Sequence, residues 1–573
     1  MITLKYNKSA RRIAMERFTR KPKLSELTLR EKIGQTVAFH EELMGQIEDH
    51  KTFFENNPYG SLWVTGKNYE KADVNILFEP QGGGDEAEDR TANTRLLMNE
   101  CMRIPTLTVT DCEKGVKWFP DHVITTCATA IGASDSEELA YEFGKCIAAD
   151  AKSVGLDWIW SPGLVDVGAR KVGASPARTF SDDTDKVIKL AKACVRGVKD
   201  AGVLTTIKHF PGIDPRDYRD SHYSPTRIFY NYNEWYEKQG RAFEAVIKDG
   251  NVDTVMIGHA QFPLVDDRLS DAKDYVPATA SSKIINGILR EKFGFKGVVV
   301  TDAIGMAGLK SAYPIPKVYA ELYKAGNDIM LAPMAPTNTS FIDDVEKLVL
   351  DGELDEAIID SACQRVLDMK ERAGYFKPDY APAVHTVQEK EKCKADLLKF
   401  NEKAARKSLT VVCDKENLIP LSKDKVKKVK IIYYGLPEKD YDPYDKLDLM
   451  IEEFAKHGAV ADKQQLVFND IEKISEEYDL IVYVTTGVID SYDYTQRRSL
   501  QSALSFGREK SVGVGFASMW SYFDAFPRMP LFVNAYNMTD ENVRAFVLGL
   551  YGDIKLEGTH PFYLNPITRD NIV

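Results

Sequence analysis

Short apolar runs alternate with amphipathic stretches along the first two thirds of the chain. In order the runs are "TVAFH" (36–40), "SLWVT" (61–65), "TLTVTD" (106–111), "DWIWS" (157–161), "VLTTIKH" (203–209), "DTVMIGH" (253–259), "GVVVTD" (297–302) and "NDIMLAP" (327–333). Between them lie helix-like segments such as "DSEELAYEFGKCIAADAKSVG", "SDDTDKVIKLAKACVRGVKDAG" and "SSKIINGILREKFGF". The second of these opens on a Ser-Asp cap signal and stops at Gly202. Strand, helix, strand repeated in this way predicts a parallel sheet. Eight such units within residues 1–374 suit an α/β fold closed as a (β/α)8 TIM-like barrel better than an open doubly wound sheet. Many runs end in an ionisable residue: His40, Asp111, His209, His259 and Asp302 all fall at the carboxyl end of a predicted strand. That is the face on which barrel enzymes assemble their active sites.

After a Pro-bearing and then charged connector, 375–400, the alternation restarts over 401–573. "SLTVVCD", "KVKIIYYG", "DLIVYVTTG", "KSVGVGFAS" and "MPLFVNAYN" read as strands of a separate, smaller α/β sandwich domain, with helices such as "YDKLDLMIEEFAKHG" between them. "GVGFAS" lacks the third glycine and the downstream acid of a dinucleotide fingerprint, so it reads as a plain buried strand. The Gly-rich, acidic "EPQGGGDEAEDR" (79–90) reads as an exposed loop.

Composition narrows the class. At 573 residues the chain exceeds one ordinary core, and 44% apolar with 28% charged residues is the balance of a globular protein. A net charge of −11 argues against nucleic acid or an anionic membrane as the main partner. No run reaches the length of a membrane span and the N-terminus has no apolar signal-peptide core, so a cytoplasmic protein is expected. The eight cysteines are scattered without C-x-x-C pairs, which leaves neither a disulfide framework nor structural zinc.

Chemistry concentrates in "KHFPGIDPRDYRDSHYSP" (208–225) and around Asp302. Glycosidic cleavage needs one group to attack or stabilise the anomeric carbon and a second to protonate the leaving oxygen. Asp302, a lone carboxylate at a buried strand's end, is the candidate for the first task. Asp220 and His222 are two apart, so in an extended loop they point the same way. A carboxylate beside an imidazole fixes its tautomer, and His222 then serves as a proton donor that later takes the proton back. Pro211, Gly212 and Pro215 mark the segment as a loop able to swing over a site. Lys208, His209, Arg178 and Asp111 supply charged hydrogen-bonding groups of the kind that replace water around hydroxyl-rich ligands. These residues by themselves reach a barrel enzyme for a sugar-like or phosphorylated ligand.

The chain also resembles glycoside hydrolase family 3, in its bacterial β-N-acetylhexosaminidase branch and two-domain form. The likeness runs through "LTLREKIGQTV", "IPTLTVTDCEKG", "ELAYEFGKCIAADAKSVGLDWIWSPGLVDV", "KHFPG…DSH", "VMIGHAQFPLVDD" and "ILREKFGFKGVVVTDAIGM", with "ENLIPL" and "VRAFVLGLYGDIKLEGTHP" in the second domain. The resemblance implies a retaining, exo-acting hydrolase that removes terminal β-linked N-acetylglucosamine. In it Asp302 is the nucleophile and Asp220–His222 the acid/base dyad. Asp111, Arg178, Lys208 and His209 hold the sugar's hydroxyls, with His259 nearby; no metal or organic cofactor is implied. The sequence departs from the branch's pattern at Cys112, Lys114, Trp118, Ile213 and Ala303, all in or beside the sugar pocket. β-Glucosidase, N-acetylglucosaminide phosphorylase and a catalytically silent sugar-binding protein are the alternative readings.

Overall fold

The structure, a computed structural model, describes residues 20–562 apart from 65–85, 117–118, 120–121, 163, 169–176, 218, 311, 332–337, 378–386, 435–442, 467–469, 486–503, 517–521 and 523–526. Trp118, most of the 79–90 segment and the Pro-bearing part of the connector therefore lie outside the described residues. The charged part of the connector belongs to a helix, Val387–Ser408. Packing divides the chain into two compact units. The first takes Met1–Val123, Gly144–Asp166 and Ala191–Lys394; the second takes Ile124–Phe143, Val167–Leu190 and Ala395–Val573.

In the first unit the predicted runs become β1 (Val37–His40), β2 (Ser61–Trp63), β3 (Leu107–Thr110), β4 (Trp158–Ile159), β5 (Thr206–Phe210), β6 (Thr254–Ile257), β7 (Val298–Thr301) and β8 (Met330–Leu331). All their pairings are parallel, in a five-stranded sheet of order β4-β3-β2-β1-β8 and a three-stranded sheet of order β5-β6-β7. Parallel single-residue bridges, Trp158 with Leu204 and Val300 with Ile329, join the two sheets at both ends of that order. Except for His209, every residue of these strands is buried. That explains why the runs read as continuous apolar stretches instead of alternating ones. Side chains from β1 (Ala38), β2 (Trp63), β3 (Leu107, Val109), β4 (Trp158), β6 (Met256), β7 (Val298, Val300) and β8 (Leu331) meet in one buried cluster.

Helices wrap this core where capping chemistry starts them. Thr28 and Glu31 form a reciprocal capping box that begins Leu29–Gln35. At the opposite end of the strands from Asp302, Lys370 on the helix Glu356–Arg372 is fully buried. It donates to Gln35 Oε1 (2.6 Å), the Gly60 carbonyl (2.8 Å) and the Pro105 carbonyl (2.6 Å), groups that immediately precede β1, β2 and β3.

The second unit holds β9 (Thr410–Asp414), β10 (Lys428–Tyr434), β11 (Val460–Gln465), β12 (Leu480–Thr485), β13 (Ser511–Gly515) and β14 (Leu531–Asn534), in the order β11-β10-β12-β13-β14-β9. Only β9 runs antiparallel to its neighbour. The expected "GVGFAS" strand is β13, buried throughout; a Cβ on Gly513 would lie 2.3 Å from the Phe532 ring, so the glycine there serves packing. Among the described residues no helix is long and apolar enough to cross a membrane.

Candidate active site

The ends of β3, β5, β6 and β7 carry the ionisable groups. Lys208, on β5, is 1% exposed, and its ammonium reaches Asp111 Oδ1 just beyond β3 at 2.5 Å and Glu113 Oε1 at 2.9 Å. A buried cation held by two carboxylates is satisfied as an ion, and the half-exposed Asp111 keeps acceptor capacity for a ligand. The next residue, His209, is clamped by Asp166. Its backbone N–H donates to Asp166 Oδ1 (3.0 Å) and its ring Nδ1 lies 2.8 Å from Asp166 Oδ2. A carboxylate only accepts, so Nδ1 carries hydrogen, and Nε2 is turned toward Asp302 Oδ2 at 4.0 Å.

Asp302 follows β7 directly. Its backbone N–H donates to the Ile257 carbonyl on β6 (2.8 Å), and its Oδ1 accepts the Ala303 N–H (2.7 Å). Burial would push its carboxyl up; His209, His259, the Ala303 N–H and Lys208 outweigh burial and hold it below the ordinary aspartate range. His259, just past β6, is buried and lies between Thr279 Oγ1 (2.9 Å from Nδ1) and the Ala303 carbonyl (2.9 Å from Nε2). A carbonyl cannot donate, so Nε2 carries the proton and Nδ1 accepts from the threonine hydroxyl. Burial lowers its pKa, against the pull of the Asp302 charge. His259 thus props the backbone next to Asp302 through the Ala303 carbonyl.

The loop after β5 delivers Asp220 and His222. Asp220 Oδ1 accepts both the backbone N–H of His222 (2.9 Å) and the Nδ1–H of its ring (2.6 Å), which leaves Nε2 on the far side of an exposed imidazole. The loop returns to the segment after Asp302: Gly308 N–H donates to the Ser221 carbonyl (2.9 Å) and Ala307 N–H to the His222 carbonyl (3.4 Å). Gly308 has no room for a side chain, because a Cβ there would stand 2.9 Å from His259 Cβ. Five of the eight anticipated residues, Asp111, Lys208, His209, His259 and Asp302, are thus linked by contacts at one end of the strands, and Asp220 and His222 are tied to it through the backbone. Arg178 belongs to the second unit and is half-buried.

Sequence reasoning missed Glu113 and Asp166. Both are loop carboxylates after a strand, Glu113 after β3 in "DCEKG" and Asp166 after β4 in "PGLVDV", and their partners on β5 are what single them out.

Residues 28–369 match the sequence model of the Glycosyl hydrolase family 3 N terminal domain. The chain belongs to glycosyl hydrolase family 3. It is a glycoside hydrolase, similar to proteins named as β-hexosaminidases. A Beta-N-acetylglucosaminidase/beta-glucosidase of Cellulomonas fimi is 23% identical over 465 residues, covering 75% of this chain and 78% of the relative. A Beta-hexosaminidase of Vibrio cholerae is 31% identical over 287 residues, covering 48% of this chain and 82% of that protein. Among solved structures, Beta-glucoside phosphorylase BglX superposes with a TM-score of 0.79 at 24% identity, over 98% of this chain and 97% of that one. That likeness extends the shared fold beyond the residues matched by the family 3 domain.

Proposed function

We propose that the eight strands of the first unit act as one closed (β/α)8 barrel. Its carboxyl end would remove terminal β-linked N-acetylglucosamine from a small carbohydrate by a retaining, two-step displacement. The observation that carries this reading is the convergence of Asp302, kept ionised in a buried setting, with the Asp220–His222 pair bonded through the backbone to residues 307–308. In the first step Asp302 attacks the anomeric carbon while His222 Nε2 gives its proton to the departing glycosidic oxygen. Asp220 keeps Nδ1 protonated and compensates the ring as its charge changes. In the second step Nε2 takes a proton from the incoming water, which releases the sugar with its original anomeric configuration. Lys208, Asp111 and His209 bind sugar hydroxyls, and Glu113 and Asp166 fix the first and last of these. His259 keeps the Asp302 backbone in place. The names of the Cellulomonas and Vibrio relatives support the N-acetylhexosamine preference.

The test is hydrolysis of an aryl β-N-acetylglucosaminide and an aryl β-glucoside, each with and without inorganic phosphate, with the product anomer followed by NMR. The reading requires faster release from the acetamido sugar, the β anomer first, free sugar as the main product, and turnover abolished by Asp302→Ala. Preference for the glucoside, or sugar 1-phosphate as the main product, would replace it with the β-glucosidase or phosphorylase alternative. No turnover of either substrate would leave the sugar-binding one.

A further inference from the structure

The loop that ends in the dyad repeats one local motif three times without a break: Asp214-Pro215-Arg216, Asp217-Tyr218-Arg219, Asp220-Ser221-His222. In each, the aspartate accepts the backbone N–H of the residue two ahead and a side-chain nitrogen of that same residue. Asp214 takes Arg216 N–H (3.0 Å), Nε (2.9 Å) and Nη2 (2.7 Å). Asp217 takes Arg219 N–H (3.1 Å), Nε (2.8 Å) and Nη2 (2.6 Å). In the third unit His222 Nδ1 occupies the place of the guanidinium Nε. Asp266 and Arg268, in the loop after β6, repeat the geometry again.

The first two aspartates do more than close their own turns. Asp214 is fully buried and Asp217 nearly so, and each accepts a backbone N–H from the returning arm of the loop: Phe229 at 2.9 Å and Arg227 at 2.7 Å. Burial would raise both carboxyls, but the arginine forks and these N–H groups hold them below the ordinary range, so both clasps are charged. From Asp217 the links continue outward. Arg227 Nε donates to Gln261 Oε1 (2.8 Å) and its Nη2 to Asp274 Oδ1 (2.7 Å), and Gln261 Nε2 donates to Asp274 Oδ2 (2.9 Å) and the Tyr275 carbonyl (2.8 Å).

We propose that Asp214 and Asp217 are positioning residues for His222: they clasp the outgoing arm of the loop to its returning arm and so set where the imidazole stands. The inference rests on the general-acid reading of His222. Two buried, multiply bonded carboxylates directly upstream of an exposed imidazole convert a polar loop into a braced arm. Such bracing matters because a proton donor acts only within hydrogen-bond reach of the leaving oxygen, and a shift of about 1 Å can cost about 10²-fold in rate.

The experiment compares wild type, His222→Ala, Asp217→Ala and the milder Asp217→Asn and Arg219→Gln. It uses two N-acetylglucosaminides, one with an activated dinitrophenyl leaving group and one with an alkyl leaving group. Amide hydrogen exchange of the 213–230 segment is followed in parallel. Asp217→Ala should lose about 10²-fold in kcat/KM on the alkyl glycoside and only about threefold on the activated one. Asp217→Asn, which keeps an acceptor for Arg227 N–H, should fall between it and wild type. Exchange at residues 227–229 should speed up in the same order. Equal losses on both substrates, or unchanged exchange with an unchanged leaving-group preference, would overturn the positioning role. If His222→Ala itself spares the alkyl glycoside, the general-acid reading fails instead, and the exchange data alone decide whether Asp217 braces the loop. Absence of wild-type turnover leads to that same division.

Discussion

At Asp302, burial and charge pull in opposite directions, and charge wins: the carboxyl sits below its ordinary value although burial raises it. The sign follows from linkage. A depressed folded-state pKa means that the carboxylate persists as pH falls through about 3.9, the value of a free aspartate, and protonates only below it. With Asp302 as the proposed nucleophile, the acid limb of kcat/KM that it sets should therefore lie below about pH 3.9. His209 is the largest of the opposing influences, so His209→Gln should move that limb upward. A pH profile on an activated aryl glycoside measures both; a limb that stays put in the variant would show that the imidazole does not set the charge of Asp302. The residues proposed to meet the substrate were legible in the sequence because strand ends and D-x-H spacing mark them. Asp166, Glu113, Asp214 and Asp217 were not, since their meaning lies in a partner. A carboxylate that orients His209 from 43 positions away looks in the sequence like any loop aspartate.

At the scale of elements, buried apolar runs locate every strand of the first unit but overshoot the ends. Within "NDIMLAP" the strand is Met330–Leu331 and within "DWIWS" it is Trp158–Ile159, each shorter than the apolar run that marks it. β11, "VADKQQ", was invisible: it is the edge strand of its sheet, polar and largely half-exposed, so no periodicity betrays it. Lys370 hides in the same way, as a charged residue on a helix whose position reads as surface. Its three carbonyl-type acceptors precede β1, β2 and β3, so it fastens the start of three neighbouring strands. Lys370→Met keeps the length and apolar stem but strands those buried acceptors. It should destabilise this unit by about 3 kcal/mol or more, read as a lower denaturant midpoint. A midpoint within error of wild type would mean that the acceptors find water and that the lysine is dispensable.

For the molecule as a whole, the chain order of the two sequence patterns differs from the order of packing. The segments 124–143 and 167–190 follow β3 and β4, ahead of the fifth strand, yet they pack with residues beyond 394. Within that unit Asn401 accepts Thr126 N–H (3.0 Å) and donates to the Ile124 carbonyl (2.9 Å), and Asn537 donates to the Thr125 carbonyl (2.9 Å). Phe143 stacks on Phe400, Lys403 pairs with Glu138 and Glu142, and Cys127, Ala130 and Ala133 share a buried cluster with Tyr536 and Phe562. A chain cut after residue 394 would leave those backbone groups and apolar faces open to water, and exposed apolar surface of that kind drives association. The fragment 1–394 should therefore express as aggregate or as a species that binds hydrophobic dye and lacks a cooperative melt. Adding 395–573 in trans should recover soluble protein if the missing packing is the cause. A soluble 1–394 fragment with a sharp thermal transition would show instead that the first unit carries its own stability and that the two inserted segments are passengers.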